Sequence, residues 1–202
     1  MDKRRFLAAA TLGAAALPSL AQSPEAKPGP RRAGNGPTLL TLTGAIGKSN
    51  RGALDPALDQ LMVKQKLSFD KAFTFDHRAL MQLPARTIEP TLEYDAKPHR
   101  LSGPLLADVL RAAGVVLQDR NRVLLRAIDG YAPGMTTAEL QRFRPIIATH
   151  LDGQPLPLGG LGPLWAVHDA DRIPELAAKP LGDRFALCPW GLYHIEVALA
   201  PA

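Results

Sequence analysis

Five histidines, a single cysteine, two Asp-Gly pairs and a sparse set of aromatics are the first residues to weigh for chemistry in this chain. His77, His99, His150, His168 and His194 stand singly. None is paired with another histidine at i, i+2 or i, i+4, the spacing that makes a metal site legible, so hydrogen-bonded or solvent-facing roles are expected. His99, close to Lys97 and Arg100 in a polar stretch, is expected in an exposed loop. A lone thiol cannot close an intrachain disulfide. Cys188, between Leu187 and Pro189-Trp190, is expected as a small buried hydrophobe rather than a reactive thiol or metal ligand. Asp129-Gly130-Tyr131 and Asp152-Gly153 carry carboxylates that a cleft would use, but Asp-Gly is a turn dipeptide and turns are the expected role. Gly159-Gly160-Leu161-Gly162 offers backbone amides to an anion. It lacks the Lys-Ser/Thr pair and the following helix of a phosphate loop, so tight turn geometry is expected.

The aromatics are more informative. Tyr94, Tyr131, Trp165, Trp190 and Tyr193 sit beside loop-forming stretches in a chain that is only 5% aromatic, and they are candidates to line a pocket. Packing in the core and at its rim is their competing role. The ligand-pocket candidates are Thr91, Tyr94, Asp129, Tyr131 and Trp165. No catalytic residue and no metal ligand is assigned.

The elements that must position these residues are short. Thr38 to Gly44 alternates as a strand, and Asp55-Pro56 opens a helical pattern with Leu58, Leu61 and Met62 on one side. Asp76 is placed to cap a short helix that Pro84 stops, and Thr87 to Tyr94 reads as an edge strand interrupted by Pro90. Gly103-Pro104 predicts a helix with proline in its first turn, an apolar stripe of Leu105, Leu106, Val109 and Leu110, and a stop at Gly114. On that reading Ser102-Gly103 is a capping pair. Strands are expected over Arg122 to Ile128, Pro145 to Leu151 and Leu192 to Leu199. A capping box is expected at Thr136-Thr137-Ala138-Glu139, and a hairpin turn at Asp152-Gly153. Strands and helices alternate without a steady β-α-β rhythm, which favours a mixed α+β domain.

Residues 1–21 read as an export signal: Lys3-Arg4-Arg5, then an apolar run from Phe6 to Leu17, then Ser19-Leu20-Ala21. Either the general secretory or the twin-arginine route would accept it. Residues 22–37 read as a flexible Pro/Gly-rich linker and 38–202 as one folded domain of 165 residues. Removing 1–21 takes away Asp2, Lys3, Arg4 and Arg5, so the formal charge falls from +5 to +3. The remaining arginines are scattered, which argues against a nucleic-acid partner. No transmembrane segment is expected after signal removal, and the location is expected to be periplasmic or otherwise exported.

Several motifs follow one another in a telling order. They are Leu42-Thr43-Gly44, Leu83-Pro84, Gly103-Pro104-Leu105-Leu106, Asp129-Gly130-Tyr131, Asp152-Gly153-Gln154-Pro155-Leu156, Gly162-Pro163-Leu164-Trp165 and the closing strand. Over 38–202 the chain resembles the oxidoreductase molybdopterin-binding domain of the sulfite oxidase type, and in particular its small, exported, single-domain members. The resemblance implies an α+β fold with a mixed β-sheet core and short peripheral helices. In the catalytic members a cysteine thiolate from the segment after the Leu-Pro pair binds molybdenum. Here Ala85 to Tyr94 holds threonines and no sulfur. Catalytic members also tend to carry an arginine after the late Pro-Leu pair, where this chain has Trp165, and an indole cannot replace a guanidinium fork. The long segments that wrap the cofactor in full-size enzymes are missing as well.

Molybdenum catalysis is therefore expected to be lost and no cofactor is expected. The domain would serve as a ligand-binding or accessory module, reporting a small anionic or redox-related ligand to a membrane-bound redox or sensor partner. Two alternatives stay open. One is an active periplasmic molybdopterin-dependent oxidoreductase, with molybdenum-molybdopterin held without cysteine or by Cys188. The other is a structural subunit of a cell-envelope complex.

Overall fold

A computed structural model describes residues 36–199; the expected export signal and nearly all of the expected linker lie outside the described residues. The chain runs through β1 (Thr38–Gly44), α1 (Gln60–Lys64), β2 (Phe73–Asp76), α2 (His77–Met81), β3 (Ala85–Ile88), β4 (Leu101–Pro104), α3 (Leu106–Ala112) and β5 (Asn121–Ala127). It continues through β6 (Gly134–Thr136), α4 (Thr137–Phe143), β7 (Ile146–Ala148), β8 (His150–Leu151), β9 (Gln154–Pro155), β10 (Trp165–Val167), α5 (Pro174–Ala177) and β11 (Leu192–Leu199). The result is a mixture of β-sheets and a few short helices.

Three sheets organise it. A five-stranded sheet has the order β2-β1-β11-β5-β6, in which β1 and β11 are parallel and every other pair is antiparallel. A four-stranded antiparallel sheet runs β3-β4-β8-β9, and β7 pairs with β10 alone. The central strands β1 and β11 are buried on both faces, so the alternation expected of a half-exposed sheet is lost there. Leu40, Leu42, Val123, Leu125, Ile195 and Val197 pack from the large sheet against Leu106, Val109 and Leu110 of α3. A second core gathers Leu101, Ile146, Trp165, Val167, Leu176, Phe185 and Cys188.

Local signals explain the caps. The Asp76 carboxylate accepts the Ala79 amide at 2.7 Å, and Thr136 with Glu139 forms the full capping box of α4. Asp152 and Gly153 both take positive φ, 49° and 81°, as a tight hairpin between β8 and β9 requires.

Three expected elements are corrected. Gly103-Pro104 does not open a helix. It ends β4, paired with Arg86 and Ala85, and the helix begins only at Leu106 after an extended Leu105. Leu106 donates its amide to Pro145 O, and Leu105 bridges Ile146, so pairing across the fold overrides the local proline signal. Ser102 and Gly103 are consequently strand residues rather than caps. The edge strand expected to Tyr94 stops at Ile88, and Leu92 and Lys97 instead close a turn. Pro145 to Leu151 is not one strand. The chain switches sheets at Thr149, whose amide bonds Ser102 O, so β7 and β8 belong to different sheets.

Candidate functional site

Loops from three parts of the chain meet in a cavity of about 160 Å³: the turn after β3, the β5–β6 connection, and the segment leading into β11. Tyr94, Asp129 and Tyr131, three of the five sequence candidates, line it together with Glu93, Trp190 and Cys188. Trp165 lies beneath rather than in the lining. It is fully buried, its ring centroid is 6.5 Å from that of Tyr94, and its indole N–H donates to Cys188 O at 2.9 Å. Thr91 is not brought to the cavity; its amide donates to the Asp171 carboxylate at 2.7 Å and anchors the turn instead.

The wall is held from within. Asp129 Oδ1 accepts the Tyr131 amide at 2.9 Å, the turn role expected of Asp-Gly, and the Tyr131 hydroxyl donates to Ala186 O at 2.5 Å. Burial, and next the Glu93 carboxylate, push the Tyr94 phenol up to about 12. Tyr94 therefore stays a neutral hydroxyl and a donor. Trp190, one of the aromatics expected to line a pocket, does so, whereas Glu93 carries no sequence signal: a lone glutamate on a turn stands out only when the fold brings it to the same cavity as Asp129.

The lining has two carboxylates, three exposed or half-exposed aromatic rings and no lysine or arginine. Its field and its π-faces suit a cation. The small anionic ligand expected from sequence does not suit it.

Cys188 sits at the floor with 5% of its surface exposed. Its Sγ lies 3.4 Å from His168 Nδ1, and His168 Nε2 donates to Arg184 O at 3.0 Å. That second bond leaves Nδ1 as the acceptor for the thiol proton. Burial pushes the thiol up to about 12 and lowers the His168 pKa, so the pair is a neutral thiol against a neutral imidazole. A thiol held this way is expected to react with iodoacetamide at pH 8 far more slowly than a free thiol does, and to gain normal reactivity only on unfolding; rapid labelling of the folded chain contradicts the arrangement.

The remaining histidines go elsewhere. His99 donates to Asp95 and Asp152 at 3.0 and 2.7 Å, and the two accepting carboxylates raise its pKa. It was expected exposed and is half-buried. Among the described residues no group of three His, Cys, Asp or Glu side chains is placed to hold a metal ion, and no helix is long and apolar enough to cross a membrane.

The molybdenum cofactor implied by the sequence resemblance does not fit the residues present. The strand β3 and its following turn offer no sulfur, the one thiol stays protonated, and the cavity opposes its carboxylates to an anionic cofactor. Its volume also falls below the roughly 300–1,000 Å³ of ordinary small-molecule sites.

No protein-family description matches the chain, and no curated protein does. Among solved structures the fold is similar to that of the sulfane dehydrogenase SoxCD from Paracoccus pantotrophus, with a TM-score of 0.50 and 12% sequence identity. The match covers 78% of this chain and 37% of that one. The chain thus spans little more than a third of the length of the protein it resembles, and the likeness is one of fold.

Proposed function

We propose that residues 38–202 form an exported domain of the sulfite oxidase type that has lost molybdenum catalysis and serves as a binding module for a small organic cation. The observation that carries the reading is the pairing of Glu93 and Asp129 with Tyr94, Tyr131 and Trp190 around one opening that contains no basic side chain. The likeness in fold to a sulfane dehydrogenase and the order of the sequence motifs support the family. The sulfur-free β3 segment supports the loss of the metal. A cavity of about 160 Å³ admits an ammonium headgroup rather than a whole metabolite, so the recognised unit is a trimethylammonium or primary amine end.

Trp190 fluorescence supplies the test. Tetramethylammonium and butylamine are expected to change it saturably, sulfite and sulfate are not, and Asp129→Asn is expected to weaken the cation by about tenfold. Saturable binding of sulfite without any response to either cation sinks the cation reading. Metal analysis of protein purified from its native host checks the other half: stoichiometric molybdenum would falsify the loss of the cofactor.

A further inference from the structure

A second cavity, of about 300 Å³, opens between α3 and α4 and shares no lining residue with the first. Its volume reaches the lower end of the range for ordinary small-molecule sites. Leu105, Ala107, Leu117, Leu140 and Pro145 give it an apolar wall. Leu140 belongs to the core, whereas Leu105, Ala107 and Leu117 are only half-buried and present apolar surface that the core leaves uncovered.

The rim is charged. Ala107 and Arg111 are one turn apart on α3, as Leu140 and Arg144 are on α4, so each arginine follows the helix face that lines the cavity. Asp108 is the one carboxylate in the lining, and it is already paired with Arg111 through a single guanidinium nitrogen, Nη1. The Arg144 guanidinium forms no ion pair among the described residues. Two arginines against one carboxylate leave the lining with a net positive charge, the reverse of the first cavity. Local geometry does not account for Arg144. It closes α4 in a left-handed backbone conformation, φ 47° and ψ 51°, that glycine adopts with less strain.

We propose that this cavity binds an amphipathic monocarboxylate, with its head on Arg111 and Arg144 and an apolar tail of roughly six to ten carbons along Leu105, Leu117 and Leu140. A guanidinium presents a planar fork of N–H donors that matches the two oxygens of a carboxylate. The apolar wall rewards a tail that leaves water, which a small hydrated anion such as sulfate does not have. The net charge of the rim disfavours a cation. This site goes beyond the cation cavity and stands or falls apart from it, because the two have no residue in common.

Calorimetric titration of the purified chain with octanoate tests it. One octanoate per chain is expected. Octanol keeps the tail without the charge and acetate keeps the charge without the tail, and each is expected to bind at least about tenfold more weakly. Arg144→Gln and Arg111→Gln should each weaken octanoate by about tenfold, with thermal midpoints close to that of the parent because both side chains are exposed. Arg86→Gln removes an exposed arginine on β3, outside the cavity, and should leave octanoate binding unchanged. Absence of saturable octanoate binding, acetate or octanol binding as tightly as octanoate, or unchanged affinity in both cavity variants each overturns the site. So does an equal loss in Arg86→Gln, which would mark the binding as a response to surface charge alone.

Discussion

A Gly103→Ala chain is expected to lose about 3 kcal/mol or more of folding stability, at the top of the range for forcing extra atoms into a packed interior. The cause is the close approach of two backbones. Gly103 sits in β4 where that strand crosses β7, and a Cβ built there falls 2.8 Å from the Ile147 carbonyl carbon and 3.0 Å from Ala148 Cα, with the Ile147 carbonyl oxygen closer still. All three atoms are backbone. No side chain can rotate away, so one of two strands must move, and each is already paired, β4 to β3 and β8, β7 to β10. Moving β4 would also shift Leu101, fully buried in the second core. Gly52 makes the matched comparison: nothing lies within 4 Å of its added Cβ, and Gly52→Ala should stay within about 0.5 kcal/mol of the parent. Urea midpoints of the two variants decide the matter. A Gly103→Ala midpoint close to that of Gly52→Ala would show that the strands do not approach as described.

The same crossing explains what the sequence could and could not reveal. Signals that act within a few residues were readable: the Asp76 cap, the Thr136-Glu139 box, the Asp152-Gly153 hairpin and the strand expected over Arg122 to Ile128, which forms from Asn121 to Ala127, all depend on neighbours in the chain. Gly103-Pro104 misled because its apolar, proline-led pattern is also what a helix start looks like. The pairing that makes it a strand comes from Ala85 and Arg86, and the helix start is fixed by Pro145. Pro145 to Leu151 reads as one strand in sequence, and nothing local marks the change of sheet at Thr149.

The candidate pocket was legible in part for the same reason. Tyr94, Asp129 and Tyr131 stood out as aromatic or acidic residues at loops, and the structure gathers them. Trp165 stood out equally and is core. Thr91 lies on the same turn as Glu93 and Tyr94, but its amide is tied to Asp171 and it stays outside the lining. The charge of the lining was invisible, because Glu93 and Asp129 are far apart in the chain and reach one cavity only through the fold.

The other large effect is expected from pH, and it centres on a histidine in the strand that organises the largest sheet. His194 lies on β11 with 1% of its surface exposed, its Nε2 3.0 Å from Thr43 Oγ1 and its Nδ1 without a partner. Its register partner on β5 is Arg126, and Thr41 faces it from β1. Desolvation first, and the Arg126 charge second, lower its pKa from 6.5 to about 4. In the unfolded chain the imidazole takes up its proton near pH 6.5; in the folded chain it resists until about pH 4. The unfolded state therefore binds more protons across that window. Stability is fully present above pH 6.5 and falls as the pH drops toward 4, by about 3 kcal/mol for a shift of this size. His168, also lowered by burial, acts in the same direction, so the isolated contribution must be read by difference. His194→Gln keeps a partner for Thr43 and removes the titration. Urea unfolding at pH 7.5 and pH 4 should show the parent losing about 3 kcal/mol more than the variant does. Parallel losses in the two chains would mean that the β1–β11 interface admits a charged imidazole, and that water or a carboxylate reaches His194 where the packing leaves room for neither.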